Sequence, residues 1–171
     1  MHSPKEKTAK LYKKFSRRIF EFLMKYCRNE ETAMDLMQET FLNFHKSYSG
    51  QELTEQKSIM LLYTIARNQS INHSRKFSTK KETAGNFDFF SSKETSFVVK
   101  EEFKDLELKL YSCLGALTED QRTAILLKNV QDLNLEQVAE IMNVSVSTAS
   151  RLVIKATSEL IRLAEENEIF P

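Results

Sequence analysis

Between Arg67 and Lys76 the chain places Arg67, Asn68, Gln69, Asn72, His73, Arg75 and Lys76, with Ile71 the single large apolar residue among them. Carboxamides offer a donor and an acceptor in one fork, which matches a base edge, while guanidinium and ammonium groups suit phosphates. The same run also describes the solvated end of a core helix, and residue types alone leave the two readings level. A second group, Asp35, Gln38 and Glu39 with Leu42 beside them, is acidic and amide-bearing around an apolar neighbour. Such a face is most often simply solvated, yet it also suits docking onto a basic protein surface through charge pairs around an apolar centre. Catalytic chemistry finds little support. His2, His45 and His73 have no metal-ligand spacing, and there is neither a Gly-rich phosphate loop nor a nucleophile motif, so no enzyme, metal or cofactor is expected.

Both groups need helices to position them. Only three glycines are present, and the two prolines stand at Pro4 and Pro171, so almost nothing in the interior interrupts a helix. An all-α fold is expected. Lys7 to Arg28 reads as an amphipathic helix with Leu11, Phe15, Ile19, Phe22, Leu23 and Tyr26 at helical spacing. Asn29 can cap the next helix, which runs to about Tyr48 and buries Ala33, Leu36, Met37, Thr40, Phe41 and Phe44. That register leaves Asp35, Gln38 and Glu39 outward. Thr54 caps a third helix, apolar from Met60 to Ile65 and polar after Ala66. Residues 1–76 therefore form a three-helix bundle.

Residues 77–96 break every period and read as a flexible linker, although Phe87, Phe89 and Phe90 suggest that part of it is pinned to a domain or binds a partner, pinning being the preferred reading. The second domain, 97–171, opens with a helix from Phe97 to Leu114 whose stripe is Phe103, Leu106, Leu110, Tyr111 and Leu114. Thr118 to Gln121 form a capping-box pattern before Ala124, Ile125, Leu126, Leu127 and Val130. Asn134 then caps a short helix, Asn143 suits the left-handed turn, and Ser145 caps the helix after it. In that last helix Ala149, Leu152, Val153, Ala156 and Leu160 point inward, leaving Ser147, Thr148, Ser150, Arg151, Ile154 and Lys155 largely exposed. This is a helix-turn-helix pattern.

Charge divides the chain at about the same place. Residues 1–81 hold 16 basic and 8 acidic side chains, and residues 82–171 hold 9 and 16, giving about +8 and −7 within a net charge of +1. Two domains with different partners are expected. Cys27 and Cys113 lie far apart on apolar segments, so they read as buried thiols in a reducing compartment. A charged N-terminus and the lack of a run of membrane-spanning length point to the cytoplasm.

Taken together, these segments resemble the extracytoplasmic-function group of bacterial RNA polymerase sigma factors. ETAMDLMQETFLNFHK, Glu31 to Lys46, resembles the segment of that family that docks on the polymerase clamp helices. LLYTIARNQSINHSRK, Leu61 to Lys76, resembles its promoter-melting and minus-ten-reading helix. LTEDQRTAILLK with LEQVAEIMNVSVSTASRLVIKATSEL resembles its minus-thirty-five-reading helix-turn-helix. The resemblance implies two helical sigma domains, core polymerase and promoter DNA as partners, and a regulator of the anti-sigma kind. It implies polymerase contacts at Asp35, Gln38, Glu39 and Leu42. Contacts to the melted strand are implied at Arg67, Asn68, Asn72, Arg75 and Lys76. Upstream-element contacts are implied at Ser147, Thr148, Ser150, Arg151 and Lys155, with Arg122 and Lys128 on phosphates.

Two features depart from the family pattern. The Trp that often precedes the LY of the third helix is Leu61 here, and the chain contains no Trp. The recognition helix is also thinly charged: from Thr118 to Ala164 five basic residues face six acidic ones. Phosphate neutralisation supplies most sequence-independent affinity, so this domain alone should hold duplex DNA weakly. The main expectation is a dissociable promoter-specificity subunit. The alternative is a sigma-like decoy or adaptor that binds an anti-sigma factor without reading promoters.

Overall fold

The helices begin where side-chain oxygens can take up the free backbone N–H groups of a first turn. The computed structural model describes residues 2–82 and 101–169, with side chains at 2–76 and 105–169. Phe87, Phe89, Phe90 and Phe97 lie outside the described residues, as does the side chain of Phe103. Seven α-helices and no strand occur among the described residues, in keeping with the all-α expectation. The chain divides into two compact units, Met1–Glu94 and Thr95–Pro171.

In the first unit, α1 spans Pro4–Cys27, α2 Glu30–Tyr48 and α3 Glu55–Glu82. Helix α1 starts three residues before the expected Lys7, because Ser3 and Glu6 form a reciprocal capping box and Pro4 fits the first turn. Asn29 accepts from Thr32 N–H at 2.8 Å to start α2, and Thr54 accepts from Lys57 N–H at 3.1 Å to start α3. The three helices pack pairwise around Phe15, Ile19, Phe22, Leu23 and Tyr26 of α1, Leu36, Met37, Phe41 and Phe44 of α2, and Leu62, Tyr63 and Ala66 of α3. Phe22 meets Tyr63 edge-on, with ring centroids 5.6 Å apart, so the bundle centre is aromatic and its geometry specific. Helix α3 continues past Lys76 into the Ser/Lys/Thr-rich run; that run has no apolar period, but it also has no Gly or Pro before Gly85 to stop a helix.

In the second unit, α4 spans Glu101–Ala116, α5 Glu119–Ile125, α6 Leu135–Met142 and α7 Val146–Glu166. Leu126–Val130 continue α5 as one π-helical turn, with Gln131 N–H donating to Leu126 O at 3.0 Å. The wider turn ends the helix and precedes Asp132, which takes a left-handed φ of 56° before α6 begins. The core gathers Cys113, Leu117, Ala124 to Leu127, Leu133, Val138, Ile141, Met142, Ala149 and Ala156. Helix α4 departs from its expected stripe: Leu110 is 43% exposed, while Cys113 is buried, as is Leu117 just after the helix. The described part of α4 buries residues only toward its C-terminal end, where Leu114 joins the cluster of Leu117, Ile125 and Ala156, so the period alone overstates its buried face.

The turn between α6 and α7 follows from its residues. Asn134 and Gln137 cap α6 reciprocally, Asn143 sits at φ 54°, and Val144 N–H reaches back to Ala139 O at 3.0 Å. That six-to-one bond closes the helix in the Schellman manner, with Asn tolerating the left-handed backbone. Ser145 accepts from Thr148 N–H at 3.1 Å and starts α7. Ala139 and Ala149, both buried, keep the side chains small on these two successive helices.

Candidate nucleic-acid interface

Helix α2 presents a row and buries the opposite one. Positions 35, 38, 39 and 42 fall on one side of a 3.6-residue period, and Asp35, Gln38, Glu39 and Leu42 are all exposed, Leu42 to 59%. The opposite side holds the fully buried Ala33 and Thr40 and the buried Leu36, Met37, Phe41 and Phe44. An exposed leucine ringed by carboxylates and an amide gains nothing from local structure. It is suited to burial against a basic partner.

Helix α3 changes character along its length. Its first half is held by Ile59, Met60, Leu62, Tyr63 and Ala66, and Ile71 anchors the second half. Asn68, Asn72, Arg75 and Lys76 are exposed, with Asn68, Asn72 and Arg75 at i, i+4 and i+7 on one face. Arg67 is half-buried and donates from Nη1 to Asn68 Oδ1 at 3.4 Å, which links it to that row. Gln69 turns the other way, so it leaves the base-reading group that residue types alone suggested. The Thr40 hydroxyl lies 2.7 Å from both Leu36 O and the Gln69 amide. Thr40 Oγ1 donates to Gln69 Oε1 across the two helices as well as to Leu36 O within its own. That arrangement pins α2 to α3 between the acidic row and the amide row.

On α7, Ser147, Arg151 and Lys155 are exposed, while Thr148 and Ser150 are half-buried. Thr148 Oγ1 lies 2.9 Å from Ser145 Oγ and accepts from Arg151 Nη2 at 3.3 Å, so it helps to orient the arginine while completing the cap. Lys128 is half-buried in the π turn. Arg122 is a correction. It is only 8% exposed, and its guanidinium donates to Leu114 O at 2.9 Å, Gly115 O at 3.1 Å and Leu117 O at 3.2 Å. Those carbonyls lie in the last turn of α4 and the link after it, where a helix lacks its own donors. Arg122 therefore closes α4 and is not presented to a phosphate. Farther along α7, Arg162 is held between Glu159 and Glu166; its hydrogen bond is the main cause that lowers the Glu159 carboxyl below its usual range. Sequence reasoning left Ile154 out of the site, although it is 61% exposed on the same face as Ser147 and Arg151; the i, i+4, i+7 spacing was the available signal.

Among the described residues, no His, Cys, Asp and Glu side chains cluster as metal ligands, and no helix is long and apolar enough to cross a membrane. Cys27 is half-buried and Cys113 buried, neither of them in a disulfide, and burial pushes the Cys113 thiol above its ordinary range.

Residues 11–79 match the family model for sigma-70 region 2, and residues 107–156 match that for sigma-70 region 4. The chain is 26% identical over 152 residues to the ECF RNA polymerase sigma factor SigM of Bacillus subtilis (strain 168), covering 88% of this chain and 90% of that relative. The chain belongs to the extracytoplasmic-function sigma factors. Its activity is that of a transcription initiation factor that directs RNA polymerase to promoters. This sigma factor is also 28% identical over 160 residues to the RNA polymerase sigma factor YlaC of the same organism, across 88% of this chain and 87% of the relative. In structure it resembles the sigma factor RpoE of Bartonella quintana, solved with the anti-sigma factor NepR, at a TM-score of 0.69 and 21% identity over 90% of this chain and 94% of that one. It also resembles CnrH, solved with the cytosolic domain of CnrY, at a TM-score of 0.67 and 15% identity over 95% and 90% of the two chains. These two share its fold.

Proposed function

We propose that the first unit of this sigma factor docks on core RNA polymerase through Asp35, Gln38, Glu39 and Leu42 and holds the melted promoter strand with Arg67, Asn68, Asn72, Arg75 and Lys76. The second unit reads the upstream element with Ser147, Ser150, Arg151 and Lys155 of α7; Thr148 supports Arg151, and Lys128 reaches a phosphate. The observation that carries this reading is the pair of outward rows on one bundle, joined through the part-buried Thr40–Gln69 contact. Polymerase bound to the α2 row is thereby fixed relative to the strand that the α3 row would hold. The chain contributes no catalytic group of its own and works in the cytoplasm, beside polymerase and DNA. RpoE is solved with the anti-sigma factor NepR and CnrH with the cytosolic domain of CnrY. A protein of the anti-sigma kind is accordingly the expected holding partner here.

The test is capture of cognate core polymerase by the native chain and by an Asp35→Lys, Glu39→Lys variant. Binding by the native chain with loss in the folded variant supports the docking row; equal capture by both would remove it. The decoy reading is favoured by one specific feature, the acidic second unit with few cations facing outward. It predicts tight binding to an anti-sigma partner with no promoter-dependent transcription, so a specific transcript from the reconstituted holoenzyme eliminates it.

A further inference from the structure

The exposed face of α7 carries one side chain that neither helix stability nor core packing explains. Ile154 is 61% exposed, and it follows Ser147 and Arg151 at i+7 and i+3 on the same side, next to Lys155. Isoleucine is a poorer helix former than Lys, Arg or Glu, so an exposed surface position gains nothing from it. From Ser147 to Ile154 the helix rises about 10 Å, within the roughly 12 Å width of a major groove. A helix seated with Ser147 and Arg151 toward base edges therefore brings Ile154 into the same groove.

Charge points to the same role. Between Thr118 and Ala164 the cations are Arg122, Lys128, Arg151, Lys155 and Arg162, and Arg122 is buried while Arg162 is ion-paired with two glutamates. A recognition face so poor in charge must draw discrimination from contacts other than ion pairs. In the major groove the one apolar group that marks a base is the thymine 5-methyl. A β-branched side chain stiff at χ1 can meet it with little loss of rotamer freedom. A protein-docking strip is the poorer fit. The next exposed apolar residue on this side, Ile161, lies two turns away, with the exposed Ser158 between them, so the apolar surface is interrupted.

We infer that Ile154 is a specificity-determining residue that reads a thymine 5-methyl in the upstream promoter element. The inference rests on the promoter-reading role proposed above. The experiment uses holoenzyme reconstituted from the full chain and cognate core polymerase, and a library of duplex promoters randomised across the upstream element. Enriched duplexes are resynthesised with deoxyuridine replacing each thymidine in turn, and affinity is measured for native chain and Ile154→Ala, whose fold is checked by circular dichroism. At one position deoxyuridine should weaken native binding about fourfold, the effect of one methyl leaving an apolar contact. Ile154→Ala should lose a similar factor on thymine and nothing further on uracil. If an element is enriched but Ile154→Ala responds to every deoxyuridine as the native chain does, the inference is overturned while promoter reading stands. It is overturned equally if Ile154→Ala weakens binding to the thymine and uracil duplexes by the same factor. If no element is enriched, promoter reading itself fails and the inference falls with it.

Discussion

Replacing Arg122 with Met keeps most of the apolar stem and removes every donor, so Arg122→Met isolates what the guanidinium does. In the native chain three N–H···O contacts of 2.9 to 3.2 Å hold Leu114 O, Gly115 O and Leu117 O, at a site that is 8% exposed. Hydrogen bonds to a charged donor are worth about 1.5–3 kcal/mol each, and carbonyls left without partners add to the loss when they are buried. The contributions are not additive and water can reach part of the helix end, so a destabilisation of about 3 kcal/mol is expected. For a domain of this size that lowers the second unit's melting temperature by roughly 12–24 °C. Hydrogen exchange read by mass spectrometry on the full chain should show faster opening in α4 and α5, with α1 to α3 unchanged. Arg122→Lys should recover only part of the loss, because one ammonium cannot span three carbonyls in the guanidinium's fork. If Arg122→Met instead leaves stability within about 0.5 kcal/mol while reducing the slope of log affinity against log salt by about one, Arg122 is a phosphate contact and the closing role is refuted.

Thr40→Val should lower the urea-measured stability of the first unit by about 1–3 kcal/mol, since it strands the Gln69 amide; the double variant with Gln69→Leu should recover much of it, and additive losses would refute the pairing. Burial pushes the Tyr63 phenol up to about 12 against the lowering effect of Arg18. The folded state therefore keeps its proton while the unfolded chain loses one near pH 10, so stability held below pH 10 should fall by about 1.4 kcal/mol per unit between pH 10 and 12. The native chain compared with Tyr63→Phe by denaturant titration isolates that slope, and identical pH profiles would contradict it. At Asn143, φ 54° predicts that Asn143→Gly is tolerated and Asn143→Val costs about 1–2 kcal/mol; equal melting temperatures for the two would refute the left-handed turn as the reason for Asn.

What could be read from the residues was what is local. Asn29, Thr54, Thr118 with Gln121, Asn134, Asn143 and Ser145 act within four residues of themselves, and each stands where a helix starts or turns. The buried stripe of α2 was equally legible, because both neighbouring helices cover it along its length. Arg122 was not, since its fate depends on carbonyls that return beside it after a helix end and a turn. Gln69 was misread among its polar neighbours for the same reason: its partner Thr40 belongs to another helix. The π turn at Leu126–Val130 leaves no mark in composition. Leu110 shows the limit of periodicity, which marks a side of a helix but not how far along it a neighbour extends.

The buried arginine changes what the second unit can do electrostatically. With Arg122 closing α4 and Arg162 held by Glu159 and Glu166, Lys128, Arg151 and Lys155 remain between Thr118 and Ala164 as cations for phosphates. Even with all three on phosphates the salt slope would be only about −3, far below that of proteins that hold duplex DNA unaided. On the proposed reading, affinity for the upstream element therefore comes mostly from being carried there. A second unit tied to polymerase through the first meets promoter DNA at a high effective concentration, which raises occupancy without a new contact. Weak intrinsic binding would then have a use: unattached chain would leave the genome's upstream-like sequences unoccupied, and polymerase docking and upstream reading would become parts of one event.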